Sequence, residues 1–127
     1  MQRLRKIDCV MHYVRDLETS AQFYELVLGL QRAWTDAERG MVGLRFAESD
    51  AEIVLHTDAT LPNPDICYLV DDVAQFCEGY RQAGHGILAE PFAVRSGLYA
   101  VLADPDGNAI GIIDLTAFGG QPRYDAA

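Results

Sequence analysis

A carboxylate and an imidazole on one short apolar run are the residues of this chain best suited to chemistry. Glu52 and His56 lie in the run 52–57, and because side chains alternate along a strand, both project from the same face. A carboxylate near an imidazole can raise the pKa of the imidazole and orient it as a general base or a ligand-binding group. The alternative is a solvated His56 at the strand end, beside Thr57 and Asp58. The pattern leaves both interpretations open.

The cysteines and the remaining histidines favour structural roles. Cys9, Cys67 and Cys77 are odd in number and lack C-x-x-C spacing, which indicates reduced thiols rather than disulfides or a zinc site. The sequence shows no base or cation near Cys9, so we expect a core thiol rather than a nucleophile. By alternation His12 faces helix and core, and His85 follows a helix end, where it satisfies carbonyl groups.

The elements that position these residues fall into two similar halves. In the first half, an apolar strand precedes a helix that Asp16 caps and Gly29 ends. The strands of this half are predicted at 7–14, 30–37, 41–47 and 52–57. The helix carries one apolar stripe at spacings of three and four residues, which consists of Ala21, Phe23, Tyr24, Val27 and Leu28.

The second half repeats this order after a connector at 58–64. A strand at 65–70 precedes a helix that Asp72 caps, and the turn-rich segment 104–108 joins two apolar runs into a β-hairpin. The segment 91–97 is predicted to be a flexible loop and a candidate lid.

An internal offset supports a duplication. Offsets of 56 and 57 align Val14 with Val70, Asp16 with Asp72, Leu17 with Val73, Tyr24 with Tyr80, Ile53 with Ile110 and Leu55 with Ile112. The matches predict two β-α-β-β-β modules. The alternative is that this order is common in α+β chains and that so few identities arise by chance.

Length and charge exclude several classes of protein. The 127 residues suit one domain, and a net charge of −9 repels phosphate backbones, which argues against a nucleic-acid-binding protein. The chain has no apolar run of the ~20 residues that a membrane-spanning helix needs and no signal-peptide core at its start. We therefore expect a cytoplasmic protein that binds neither nucleic acid nor membrane.

Three landmarks resemble the vicinal oxygen chelate superfamily, the group of glyoxalases, bleomycin-resistance proteins and extradiol dioxygenases. They are the pattern from Ile7-Asp8-x-Val10 to Val27-Leu28-Gly29-Leu30, the segment Val70-Asp71-Asp72-Val73 and the turn Asp104-Pro105-Asp106-Gly107-Asn108. The resemblance implies an α+β fold of two βαβββ modules. It also implies that their mixed sheet forms a half-open cup with helices outside, usually completed across a homodimer. The predicted organisation is a single domain over 1–127, with module 1 at about 6–58, module 2 at about 64–116 and a flexible tail at 117–127.

The resemblance also indicates where a metal would bind. Metal-dependent members place ligands on the first and last strand of each module, and these positions correspond here to Cys9, Val54 or Glu52, Asp65 and Gly111. Only Asp65 and Glu52 offer the oxygen donors that a catalytic divalent metal needs. We predict no metal and no other cofactor. The alternative is a divalent metal in a displaced shell of Glu52, His56 and Asp65.

These observations predict a metal-independent small-molecule-binding protein, such as one that sequesters a cationic or aromatic antibiotic as a homodimer. An acidic cup attracts a cationic, planar guest through charge and cation–π contacts. The ligand-binding residues are predicted to be Cys9, Met11, Tyr13, Trp34, Glu52, Val54, His56, Asp65, Cys67, Phe92, Tyr99 and Gly111. The alternative is a metal-dependent lyase, isomerase or dioxygenase with His56 and Glu52 as catalytic residues. A third interpretation is an interaction module whose cup is filled by side chains such as Met11 and Leu69.

Overall fold

The computed structural model describes residues 2–125, and these divide into two compact units. The first unit contains residues 8–65 and 124–125, and the second contains residues 2–7 and 66–123. The last two residues of the predicted tail, 126 and 127, lie outside the described range.

The first module has one helix and a four-stranded mixed sheet. Its elements are β1 (Lys6–Tyr13), α1 (Leu17–Leu26), β2 (Gln31–Asp36), β3 (Met41–Arg45) and β4 (Glu52–His56). The strand order is β2-β3-β4-β1, in which β1 and β4 are parallel and the other pairs are antiparallel.

The second module repeats this arrangement. Its elements are β5 (Asp65–Leu69), α2 (Val73–Gln82), β6 (Ile87–Val94), β7 (Gly97–Ala103), β8 (Ala109–Ile113) and a short 3-10 helix (Thr116–Phe118). The strand order is β5-β8-β7-β6, again with one parallel pair, β5 with β8. The predicted α+β class with two βαβββ modules is therefore confirmed.

The strand registers repeat with the offset read from the sequence. In each module the first strand pairs in parallel with the last, so a shift in this pairing would break the equivalence between modules. The equivalent pairs are Met11–Val54 with Cys67–Gly111, and Tyr13–His56 with Leu69–Ile113. First-strand positions thus differ by 56 residues and last-strand positions by 57.

Both helices begin at the aspartates that the sequence predicts. The Asp16 carboxylate accepts from Thr19 N–H at 2.9 Å, and the Asp72 carboxylate accepts from Gln75 N–H at 2.9 Å. Each satisfies a backbone donor that the first helical turn leaves open. Both helices have ten residues, and no helix within residues 2–125 is long and apolar enough to span a membrane.

Each helix packs on one face of its own sheet. The residues at the centre of the first core are Ala21, Val42, Leu44 and Leu55, and those of the second core include Val73, Cys77, Ala100, Leu102 and Ile112. The apolar stripe predicted for α1 is only partly buried. Ala21 and Tyr24 face the sheet, whereas Phe23, Val27 and Leu28 are exposed, because the helix stripe that reaches the sheet is narrower than the apolar set.

The predicted loop at 91–97 is wrong. β6 continues to Val94, and only Arg95 and Ser96 connect it to β7, so this segment is a tight hairpin rather than a lid. Pro91 suggested a break, but β6 lies at the edge of the sheet order, where proline is tolerated in a strand. The Ser96 hydroxyl donates to the carbonyl oxygen of Asp114 at 2.8 Å and fixes the turn.

One buried carboxylate joins several elements of the second unit. Asp114 is fully buried and accepts from the backbone N–H groups of Val73 at 2.8 Å and Leu98 at 3.0 Å. It also accepts from the Thr116 hydroxyl at 2.7 Å. A side chain on Gly97 would meet Asp114 Oδ1 at 2.0 Å, so glycine is required beside the carboxylate. Asp114 thus connects the start of α2 to β7 and to the segment after β8.

Replacement of Asp114 by alanine is expected to lower the free energy of unfolding by roughly 3 kcal/mol, because it leaves several buried donors without an acceptor. Urea denaturation followed by circular dichroism measures the change. Asp106→Ala, at an exposed position in the β7–β8 turn, is the control and should change the free energy by less than about 0.5 kcal/mol. Equal effects of the two substitutions would contradict this role for Asp114.

Candidate functional site

Six of the predicted site residues form one strip on the first module's sheet. The parallel register of β1 and β4 pairs Cys9 with Glu52, Met11 with Val54 and Tyr13 with His56. Helix α1 packs on the opposite face, where the alternate residues Val42, Leu44 and Leu55 lie. We call these six residues and Trp34 the open-face strip, because they lie on the sheet face opposite α1; five of the seven side chains are nevertheless buried, and those of Tyr13 and Glu52 are half-buried.

Trp34 extends this strip across β3. It pairs with Gly43 in the β2–β3 register, and Gly43 pairs with Val54. A side chain on Gly43 would lie 2.1 Å from the indole ring, so the indole lies directly against the Gly43 backbone. The indole N–H donates to Glu52 Oε1 at 2.9 Å. The tryptophan thus covers β3 and holds the carboxylate of Glu52, which is half-buried.

His56 is the most deeply buried polar residue of the strip, with 1% of its surface exposed. Its Nδ1 accepts from the backbone N–H of Asp58 at 3.1 Å, so in the neutral ring the proton resides on Nε2. Nε2 has no hydrogen-bond partner among residues 2–125. Thr60 donates from its backbone and its hydroxyl to the Asp58 carboxylate and fixes the turn that holds the imidazole.

The interaction of His56 with Glu52, one of the two interpretations that the sequence left open, does not form. Burial lowers the pKa of His56, the Asp58 carboxylate opposes this shift, and His12 adds to it. Glu52 bonds to Trp34 instead and lies four residues away along β4, about 13 Å between Cα atoms. The solvated alternative is also wrong, because the imidazole is buried. His56 is therefore a neutral hydrogen-bond donor near pH 7 rather than a carboxylate-activated base.

Asp65, the first residue of β5, is 1% exposed. Burial raises the pKa of its carboxyl group to about 7. The group therefore holds its proton through mildly acidic pH and can donate a hydrogen bond as a carboxylic acid.

The remaining predicted site residues belong to the second unit. Cys67 pairs with Gly111 in the parallel register of β5 and β8, and both are buried. Phe92 and Tyr99 are partners across β6 and β7, with ring centroids 5.1 Å apart at 60°. These residues lie on the face opposite α2, because Ala100, Leu102 and Ile112 occupy the face that packs on the helix.

The donor set does not fit a divalent metal centre. Within residues 2–125, no three His, Cys, Asp or Glu side chains lie close enough together to hold a metal. Val54 and Gly111 supply no donor at two of the expected positions, and a catalytic site needs about three converging ligands. The alternative shell of Glu52, His56 and Asp65 does not form either, because Glu52 and His56 are separated along β4.

Sequence reasoning missed two residues that shape the strip. Alternation along β3 places Gly43 on the open face, but only the structure shows that the Trp34 ring occupies the space that a side chain at this position would fill. The sequence named Asp58 only as a neighbour of His56, whereas in the structure its backbone N–H selects the tautomer of His56. Neither role has a signal in residue type or spacing.

Comparison with known families identifies the fold. Residues 6–112 match the family model described as the Glyoxalase/Bleomycin resistance protein/Dioxygenase superfamily. The chain belongs to this superfamily. No curated protein matches the chain. The resemblance drawn from the three sequence landmarks is thereby confirmed.

Solved structures of the superfamily share the fold at low sequence identity. A Streptomyces coelicolor methylmalonyl-CoA epimerase variant, bound to 2-nitronate-propionyl-CoA, matches with a TM-score of 0.70 and 18% identity, over 94% of this chain and 100% of that chain. The Mycobacterium tuberculosis methylmalonyl-CoA epimerase matches with a TM-score of 0.66 and 19% identity, over 86% and 87%. A Mn(II)-bound glyoxalase from Novosphingobium aromaticivorans gives 0.64 and 21%, over 100% of this chain and 44% of that chain. At these identities the likeness establishes the fold alone.

Replacement of Gly43 by alanine is expected to displace the indole of Trp34, because the added methyl group overlaps the ring. Trp34 is the only tryptophan, so its fluorescence reports the change directly. We expect a red-shifted emission maximum and a loss of about 1–3 kcal/mol in the free energy of unfolding. Gly79→Ala, where an added methyl group meets open space, is the control. An unchanged spectrum for Gly43→Ala would contradict the stacked arrangement.

The buried acid predicts a pH dependence of stability. Because the folded-state pKa of Asp65 lies above its usual value of 3.8, the unfolded chain loses this proton first as pH rises. The contribution of Asp65 is therefore full below pH ~4, falls as pH rises to ~7, and is constant above that. Asp65→Asn should remove this contribution. Urea midpoints between pH 4 and 8 test it, and an Asn variant with the wild-type slope would contradict it.

Proposed function

We propose that this protein binds an organic small molecule on the open-face strip and does so without a metal. The ligand is a cationic or aromatic compound with a hydrogen-bond acceptor, a class that includes antibiotics. The protein encloses and recognises this ligand and does not make or break bonds in it. Each part of the strip supports one feature of this ligand.

The Nε2–H group of His56 is the single observation that carries the proposal. It is a buried donor with no acceptor within residues 2–125. A buried donor that makes no hydrogen bond lowers the stability of the folded state by roughly 1–3 kcal/mol. The Asp58 N–H fixes the tautomer, and burial keeps the ring neutral. A ligand oxygen or unprotonated nitrogen at this point would satisfy the donor, so the strip favours ligands with a neutral or anionic acceptor there.

The apolar part of the strip favours an aromatic body on the ligand. Met11, Trp34 and Val54 are all at least nine-tenths buried, and they lie between the two polar groups of the strip. Ligand sites typically combine such apolar walls with a few polar groups that fix orientation. The thioether of Met11 and the indole of Trp34 both make favourable contacts with aromatic rings.

The carboxylate of Glu52 favours a cationic group on the ligand. It is half-buried, hydrogen-bonded by the Trp34 indole, and carried by a chain of net charge −9. An overall negative potential raises the local concentration of cations and steers them toward the protein. A guest with a cationic end at Glu52 and an acceptor at His56 would span about four strand residues, or ~13 Å.

The solved relatives are consistent with small-molecule binding. The Streptomyces coelicolor epimerase holds a CoA derivative, and the Novosphingobium glyoxalase holds Mn(II). We propose that this chain keeps the binding capacity of the fold and uses hydrogen bonds in place of metal coordination. We also propose a homodimer, as the superfamily resemblance implies.

Binding is tested by titration of the full chain with a panel of cationic and neutral aromatic compounds, followed through Trp34 fluorescence. For a compound that binds, His56→Leu should weaken affinity about tenfold, because one hydrogen bond is lost. His56→Gln, which retains an N–H donor, should recover part of it. His12→Leu, on the opposite face of β1, is the control and should leave affinity unchanged. Equal losses for His56→Leu and His12→Leu would contradict recognition by His56.

The metal-dependent alternative has a separate readout. Elemental analysis of protein purified without chelators should find less than stoichiometric Mn, Fe, Ni and Zn. Stoichiometric metal that disappears in Glu52→Ala would overturn the proposal and favour a lyase, isomerase or dioxygenase. Glu48→Ala, at an exposed carboxylate just before β4, is the matched control.

A further inference from the structure

Residues 124 and 125 lie along the outer edge of the first module's sheet. They belong to the same compact unit as residues 8–65. The backbone N–H of Asp125 donates to the carbonyl oxygen of Ala33 at 2.7 Å, and the Asp125 carboxylate accepts from the backbone N–H of Thr35 at 2.8 Å. We call residues 124 and 125 the β2 clasp. The clasp is thus anchored on the backbone immediately before and after Trp34.

The edge of β2 is able to receive such a segment. An outermost strand presents backbone N–H and C=O groups to which an added segment can bond, and β2 is the outermost strand of the first module. β2 contains no proline, whereas the equivalent edge strand of the second module, β6, contains Pro91, which has no N–H to offer. The edge beside Trp34 therefore keeps the donor and the acceptor that the clasp uses.

The other residue of the clasp, Tyr124, places its ring beside the open-face strip. The guanidinium carbon of Arg45 lies 5.2 Å from the centre of this ring, within the range of a cation–π contact. Arg45 is the register partner of Glu52, and alternation along β3 puts it on the same face as Gly43. The Tyr124 ring therefore lies at the end of the strip that holds Glu52.

A ligand can reach Trp34 only after a covering segment moves. Trp34 is 7% exposed, and α1 does not cover it, because the helix packs on the opposite face of the sheet. The clasp is suited to such movement, since residues 124 and 125 are part of no helix or strand and the bond from Thr35 to Asp125 is exposed to solvent. Irregular segments with solvent-exposed hydrogen bonds open at the lowest free energy within a fold.

We propose that the β2 clasp is a gate over the Trp34–Glu52 end of the open-face strip. In the closed position Asp125 is bonded to β2, and the Tyr124 ring lies against Arg45 beside Glu52. In the open position both contacts are broken, and the indole and the Glu52 carboxylate are accessible. The gating of a ligand rests on the proposed function, whereas the closure of the clasp over Trp34 depends on no ligand.

Such a gate controls the rates of binding rather than the affinity. The contacts that close it, from Asp125 to β2 and from Tyr124 to Arg45, are the same in the free and the occupied protein. A segment with equal preference for the two states does not shift the equilibrium between them. Loss of the clasp should therefore raise the association and dissociation rate constants together.

The closed position is tested first, without a ligand. Acrylamide quenching of fluorescence measures the accessibility of Trp34, the only tryptophan of the chain. Asp125→Ala and Tyr124→Ala each remove one contact of the clasp, and each should raise the Stern–Volmer constant about twofold with an unchanged circular dichroism spectrum. Wild-type quenching in either alanine variant would overturn the proposal.

Two controls accompany this measurement. Asp125→Asn retains a side-chain oxygen that can accept from Thr35, so its quenching should match wild type. Glu48→Ala removes an exposed carboxylate of the same unit and should also match wild type. Quenching by Glu48→Ala as strong as that of Asp125→Ala would show an effect of charge alone and contradict the clasp.

Amide hydrogen exchange locates the contact on β2. The Thr35 amide should exchange about tenfold faster in Asp125→Ala, because its acceptor is lost. The Leu55 amide, on the inner strand β4, should exchange at the wild-type rate. A Thr35 amide that exchanges equally in the variant and in wild type would contradict the anchoring of the clasp beside Trp34.

The gating step is tested with berberine, a planar aromatic cation with ether oxygens that can accept hydrogen bonds, added to the full chain. Stopped-flow fluorescence should give association and dissociation rate constants that are both several-fold higher in Asp125→Ala, with Kd changed by less than about twofold. Wild-type rates in this variant would overturn the gate. Absence of binding by berberine and by the whole aromatic panel would instead refute the proposed function, and quenching and exchange would then decide the clasp by themselves.

Discussion

The parallel pairing of β1 with β4 is the constraint on which the candidate site depends. It brings Cys9 beside Glu52, Met11 beside Val54 and Tyr13 beside His56, and a shift by one residue would turn every one of these side chains toward α1. The register is fixed from the other face, where Val42, Leu44 and Leu55 have to meet the helix. The packing of these residues against α1 therefore determines which side chains project from the opposite face of the sheet.

Polar groups on the open face are held by neighbours that residue spacing does not reveal. Glu52 is held by the Trp34 indole, which itself requires the absence of a side chain at Gly43. His56 is held by the backbone of Asp58, and burial rather than a carboxylate decides its protonation. The result is a neutral donor and a fixed carboxylate at opposite ends of an apolar row of side chains, and the proposed ligand binding rests on this arrangement.

The duplication shows which features belong to the fold and which to this protein. Both modules keep an aspartate at the helix start, apolar residues at the helix–sheet contact and the same parallel register. The two modules differ at positions that the shared fold does not require to be the same. The second module has Asp114, a buried carboxylate that joins α2 to β7. The first module has exposed apolar side chains on and just after α1, at Phe23, Leu26, Val27 and Leu28.

The sequence by itself determined the order of elements, both helix caps, the β7–β8 hairpin, the duplication and the superfamily. These depend on local signals, since Asp16 and Asp72 bond to the backbone three residues on and alternation is a property of a single strand. The tertiary structure alone decided the partner of Glu52, the protonation of His56, the hairpin at 95–96 and the exposure of Phe23 and Val27. Each of these depends on which parts of the chain, distant in sequence, lie within a few ångströms of each other in the fold. Residue type and spacing do not specify that distance.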